Sequence, residues 1–192
     1  MGEMSQSGWV GDEIAMSVEN GKSMTQDVTA PAAPLMEARE ILAVVERHQS
    51  RQRAICRELE AVADSLPLDV DPSLCMRLAR TLIPTLQSAH EYKEEHFCPL
   101  VHRVLTDFSN IDTILERLRA EYYETELLAE EIAEELSQWG ICADHKSAEA
   151  MGYMLRGFFI SLTRHVDFES VVLVEPIKTR LSRLEGAEYP EP

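Results

Sequence analysis

The segment HEYKEEHFCP at residues 90–99 and the segment HVDFE at residues 165–169 carry one pattern, His-x-x-x-Glu. His90 to His165 and Glu94 to Glu169 are both offsets of 75 residues. A spacing of four places an imidazole and a carboxylate one turn apart on one face of an α-helix. The surrounding chain agrees with helix: from Leu35 onward apolar residues recur three and four apart, and strand-like alternation between turn residues is absent.

Working outward, helix A is predicted from about Pro34 to Ser65, with Ile41, Val44, Val45, Ile55, Leu59 and Val62 on one stripe and a stop at Leu66-Pro67. Asp71-Pro72 reads as an N-cap and first-turn proline, opening a helix B that runs to about Asp107, kinked or interrupted at Pro84 and Pro99. Helix C begins near Asn110 or Asp112, carries Ile111, Leu115, Leu118, Ile132 and Leu136, and stops at Trp139-Gly140. Helix D follows Asp144, turns Met151, Met154, Leu155, Phe158 and Leu162 inward, and reaches about Leu184. The expected fold is all-α: an antiparallel up-and-down four-helix bundle over residues 35–184, built from two similar helical hairpins. Residues 1–34, rich in Gly, Ser, Thr and Pro without apolar period, read as a flexible tail, and residues 185–192 as a C-terminal tail.

Composition narrows the function classes. Asp and Glu number 34 against 18 Lys and Arg, a formal charge of −16 that repels phosphate backbones and anionic lipid. Nucleic acid and membrane are therefore excluded as expected partners, and no apolar run reaches the 18 or more residues of a membrane span. Cys56, Cys75, Cys98 and Cys142 form no C-x-x-C pair, and no export signal opens the chain, so a cytoplasmic, disulfide-free protein is expected.

His48 falls on the apolar stripe of helix A, 42 residues before His90. Counting back 43 from His165 gives Tyr122, which shares a stripe with Leu115, Leu118, Ala129, Ile132 and Leu136 and so points inward; Tyr123 points outward. Burying His48, His90, His165, Glu94 and Glu169 together without compensation is costly, and a metal pair removes the penalty. Two carboxylates with three imidazoles suit two first-row transition ions, iron first, with manganese or zinc as substitutes. A lone His-x-x-x-Glu is ordinarily a solvated surface couple; two at one offset, with His48 at the matching place, outweigh that. His96, His102 and His145 read as structural or solvent-exposed. Glu91, Glu95, Asp167 and the run Glu130, Glu131, Glu134 and Glu135 read as outward charge.

These residues resemble the hemerythrin-like, or HHE cation-binding, family: a histidine on helix A, His-x-x-x-Glu on helix B, a histidine on helix C and His-x-x-x-Glu on helix D. HEYKEEHFCP looks like its helix B signature and ERHQ, residues 46–49, like its helix A entry. The resemblance implies a non-haem dinuclear iron centre that engages dioxygen, nitric oxide or peroxide. It gives His48, His90 and His165 as nitrogen ligands, with Glu94 and Glu169 as bridging carboxylates. The chain departs from the pattern at Tyr122, which stands where the family has histidine. Three roles are open to it: a phenolate ligand, a hydrogen-bond donor to a bound ligand or water, or a sign that the second metal position is weak or empty. Glu126, one turn on, is a replacement oxygen donor less favoured than a surface residue.

Three function classes follow. The first is a di-iron protein that binds or senses a diatomic ligand or reacts with peroxide, with a protein partner for its output. The second is a peroxide-consuming di-iron enzyme, and the third a metal-free acidic helical interaction module. A binding protein is favoured over a dedicated enzyme. Ferritin-like storage is disfavoured, because those bundles use Glu-x-x-His with mostly carboxylate ligands.

Overall fold

The computed structural model describes residues 32–141 and 148–188; most of the expected N-terminal tail, Cys142, Asp144, His145 and the last four residues lie outside that range. The described residues are helical apart from short connections. The elements are α1 (Ala32–Ser65), α2 (Pro72–Tyr92), a π-helical turn (Lys93–Phe97), α3 (Cys98–Val104), α4 (Ile111–Ile141), α5 (Ala148–Glu169), a second π-helical turn (Ser170–Val174) and α6 (Glu175–Glu188). Helix α1 stops before Leu66, whose helical conformation Pro67 disfavours. Asp71 caps α2 by accepting the Ser73 N–H at 2.8 Å, and Pro72 takes the first turn, where no N–H is needed.

Three boundaries differ from the expected ones. Helix α4 runs through Gly140 to Ile141, so that glycine is not the stop. The B segment ends at Val104 rather than near Asp107, and the D segment continues past Leu184 to Glu188. Pro84 lies inside α2 without ending it. Pro99 and Pro176 each follow a π-helical turn that begins six residues upstream and ends two residues upstream. A proline has no N–H to donate, and its ring crowds the preceding turn, so the ladder reorganises just before it.

The π-turns let these helices keep a continuous seam. On α1 the buried residues run Ala38, Leu42, Val45, Gln49, Gln52, Cys56, Leu59 and Ala63, alternating four and three. On the B segment they run Leu82, Leu86, Ala89, Lys93, Phe97 and Val101, and on the D segment Glu169, Leu173, Ile177 and Leu181. Successive steps of four drift off the face of a 3.6-residue helix, and one widened turn absorbs the drift.

Two apolar clusters fill the interior. One gathers Leu59, Leu78, Leu82, Ile132, Leu136, Met151, Leu155 and Phe158, and the other Leu42, Val45, Phe97, Leu100, Leu115, Leu118, Leu173 and Ile177. Between their seam positions lies a buried polar layer of Gln49, Gln52, His90, Lys93, Thr125, His165 and Glu169. Side-chain pairs fix the relative order of the segments: α1 meets the D segment through Arg39–Glu185, Glu46–Lys178, Gln49–Glu169, Arg53–Asp167 and Asp64–Arg156, one number rising as the other falls. The B segment and α4 meet in the same sense through His90–Glu126, Glu94–Arg119 and His102–Asp112. Cys56, Cys75 and Cys98 are buried free thiols.

Candidate metal centre

Glu169 is the hub of the polar layer. It ends α5 fully buried, and three donors converge on its carboxylate. Gln49 donates Nε2–H to Oε1 at 2.8 Å, the Tyr122 hydroxyl donates to Oε2, and the Lys93 ammonium sits 2.7 Å from Oε2. Burial alone pushes this carboxyl up, but the Lys93 charge and the bonds from Lys93, Tyr122 and Gln49 more than offset it, holding it below its ordinary value. It is therefore ionised at neutral pH. The same surroundings act on Tyr122 in the opposite sense: burial, then the Glu169 charge, raise the phenol well above its ordinary value, so it stays protonated and donates.

Two imidazoles flank the hub, each fixed by a carboxylate of α4. His165 Nδ1 pairs with Glu121 Oε2 at 2.8 Å, and His90 Nδ1 meets Glu126 Oε1. Burial, followed by the Lys93 charge, lowers His90 to about 3, and burial raises Glu126, so that contact joins a neutral imidazole to a carboxyl group. His165 is lowered chiefly by burial, against the pull of Glu121 and Glu169. Both rings are thus neutral at pH 7. With Nδ1 holding a proton toward an acceptor, the Nε2 lone pair is left for an electrophile, the tautomer found in metal-ligating histidines. The Nε2 of His165 is buried without a hydrogen-bond partner, and it faces Glu169 Oε2 at 3.9 Å. Tyr122 packs between the rings, stacked on His90 with centroids 4.1 Å apart and edge-on to His165 at 4.6 Å.

Of the six residues singled out as metal ligands, His90, Tyr122, His165 and Glu169 come together here. His48 and Glu94 do not. Gln49, the next residue along α1, takes the inward place, and His48 lies half-buried on the flank beside Tyr92, 5.6 Å between centroids. The heptad Ile41, His48, Ile55 and Val62 is a real apolar flank, but the central seam of α1 runs one residue beside it. Glu94 is likewise one step past Lys93, 41% exposed, and held by the Arg119 guanidinium at 2.8 and 2.9 Å.

The residues missed in the sequence are Lys93, Gln49, Gln52, Glu121 and Glu126. Lys93 is the surprise: a lysine reads as surface, yet this one is wholly buried, its Nζ also 4.9 Å from the centroid of the Tyr122 ring. The four-residue series Ala89, Lys93, Phe97 was the available signal. Glu126, for which the sequence favours a surface place over a replacement oxygen donor, contacts His90 instead.

A set of one unpartnered Nε2, one ionised carboxylate and one phenol oxygen suits a single first-row cation. Among the described residues no group of three or more His, Cys, Asp and Glu side chains is gathered as a ligand cluster, because Glu94 and His48 face elsewhere and Lys93 holds Glu169. Gln52, one turn beyond Gln49, leaves both its amide nitrogen and oxygen buried and unpaired, so the layer has polar capacity that the side chains themselves do not use.

With this geometry in view, the comparison with protein families is direct: the model of the hemerythrin HHE cation binding domain matches residues 40–175. The chain is a helical, hemerythrin-like protein; it belongs to the hemerythrin HHE cation-binding domain family. No curated protein and no solved structure matches it. The matched stretch spans α1 to the second π-turn, and so contains every member of the polar layer. No described helix is long and apolar enough to cross a membrane.

Proposed function

We propose that this chain is a hemerythrin-like non-haem iron protein whose centre binds a diatomic ligand, dioxygen or nitric oxide, or reacts with peroxide. The bundle is read as antiparallel and up-and-down, supported by the two opposed ladders of side-chain pairs. The observation that carries the reading is His165: Glu121 fixes its Nδ1 while its buried Nε2, without a partner, faces the Glu169 carboxylate. The primary ion site is accordingly assigned to His165 and Glu169, with His90 and Tyr122 adjoining. One ion per chain is the expected load, and a second requires Glu94 to leave Arg119.

An iron ion held by His165 and Glu169 would supply redox-active Lewis-acid chemistry for a small oxygen or nitrogen ligand. The chain's own groups do the rest. Glu121 and Glu126 hold both imidazoles in orientation. The Tyr122 O–H, kept protonated by burial, is positioned to donate to a ligand oxygen once its bond to Glu169 is exchanged. The apolar clusters on both sides limit water, which strengthens each of these hydrogen bonds.

A second reading, a metal-free helical module, draws on one observation: the Lys93–Glu169 pair already neutralises the layer. The test is anaerobic reconstitution with ferrous iron, metal quantitation, and optical spectra on adding oxygen, nitric oxide and peroxide. Bound iron with a ligand-dependent band supports the proposal. No iron retained by a folded protein favours the module.

A further inference from the structure

Lys93 is the feature that the family reading does not account for. Its side chain crosses into the polar layer from the first residue of the π-turn and is wholly buried. Its Nζ lies 2.7 Å from the same Oε2 that accepts the Tyr122 hydroxyl, while Gln49 occupies Oε1. Both oxygens of the carboxylate nearest the open His165 nitrogen are therefore engaged by donors. Lys93 and Glu169 are the two fully buried charged side chains of the layer and face each other, while Glu121 and Glu126 stand at its part-exposed rim on the Nδ1 atoms of His165 and His90. A divalent ion placed at Glu169 with the ammonium still there sets two positive centres against one buried anion, which a low-dielectric interior penalises heavily.

We propose that the Lys93 ammonium occupies the cation position of this bundle: it is a built-in surrogate cation that holds the chain folded without metal, and it must withdraw from Glu169 before an ion binds. This rests on the assignment of the ion site to His165 and Glu169. Lys93 is thus a positioning residue that sets how readily the site loads. The same contact that completes the core opposes the ion.

The test uses the full chain and Zn2+, which adds no redox chemistry, with melting in chelator as a readout independent of any activity. Lys93→Met keeps the unbranched stem as far as Cε and removes the charged Nζ. In chelator it is expected to melt below the native chain, because Glu169 is left buried and unpaired. Adding Glu169→Gln to Lys93→Met is expected to recover part of that loss. Lys93→Met is also expected to bind Zn2+ at least tenfold more tightly than the native chain, and to show the larger rise in melting temperature on loading. A Lys93→Met protein that melts like the native chain in chelator, or binds Zn2+ no more tightly, overturns the surrogate role. Should Lys93→Met fail to fold, a Lys93→Met/Glu169→Gln protein that also fails overturns it, and one that folds supports it. Zn2+ bound by Lys93→Met but not by the native chain supports the surrogate role and counts against divalent-ion loading of the native site. Zn2+ bound equally by both does the reverse. Binding by neither refutes both.

Discussion

Replacing Tyr122 by Phe removes one oxygen atom from the centre of the bundle and leaves the ring where it packs against His90 and His165. The lost group donates to Glu169 Oε2, an ionised and fully buried acceptor. A hydrogen bond to a charged group is worth about 1.5–3 kcal/mol, and Lys93 and Gln49 remain to hold the carboxylate, so the loss belongs in that range rather than above it. For a chain of this size, 1 kcal/mol moves the melting temperature by roughly 2–4 °C, giving a fall of about 3–12 °C at neutral pH in chelator. The pH dependence supplies a second check. Glu169 titrates below its ordinary value in the folded chain, so its contribution is fully present above the unfolded carboxyl value of about 4.3 and is lost as pH falls through the folded value. The Tyr122→Phe penalty must therefore shrink on acidification, as the acceptor loses its charge. Tyr123→Phe, at a position 66% exposed, should stay within about 0.5 kcal/mol. Urea unfolding at neutral pH, and at acidic pH taken well below the ordinary carboxyl value until the folded Glu169 protonates, measures all of this. A Tyr122→Phe penalty below about 0.5 kcal/mol, or one undiminished in acid, refutes the argument.

Other consequences are open to measurement. His90, neutral in the fold down to about 3, takes up a proton on unfolding below about 6.5, so stability should fall as pH drops through that window; in His90→Gln, pH-dependent unfolding should show a flatter slope there. Glu94→Ala breaks a half-exposed pair with Arg119, and chemical denaturation should register no more than about 1 kcal/mol. Leu82→Ala, in the apolar cluster, should cost about 2–5 kcal/mol in the same assay. Asp71→Ala removes the cap of α2 and should cost about 1 kcal/mol, read as a lower urea midpoint.

The helices were legible because their signals are local. Asp71-Pro72 and the inward residues of α4 depend only on cap chemistry and period, and the structure places Tyr122 inside and Tyr123 outside as the stripe required. Helix ends depended on single residues, and Gly140 misled because a helix tolerates one glycine at about 1 kcal/mol. The polar layer was harder to read. An offset of 75 made the two His-x-x-x-Glu motifs look equivalent, yet the prolines and π-turns repeat at 77. Glu169 consequently precedes its π-turn, whereas Glu94 lies within one. That two-residue difference, together with the four-residue series through Lys93, separates an inward carboxylate from an outward one. His48 illustrates the related ambiguity on α1, where adjacent flank and seam are both apolar and only packing against the partners tells them apart.

The assignment of the ion site to Glu169 is tested by the metal content of two variants after anaerobic loading with ferrous iron. Glu169→Ala removes the buried carboxylate assigned to the ion, and Glu94→Ala removes the one turned out toward Arg119. One iron per chain is expected in the native protein and in Glu94→Ala, and none in Glu169→Ala. Iron lost from Glu94→Ala and kept by Glu169→Ala would contradict that assignment.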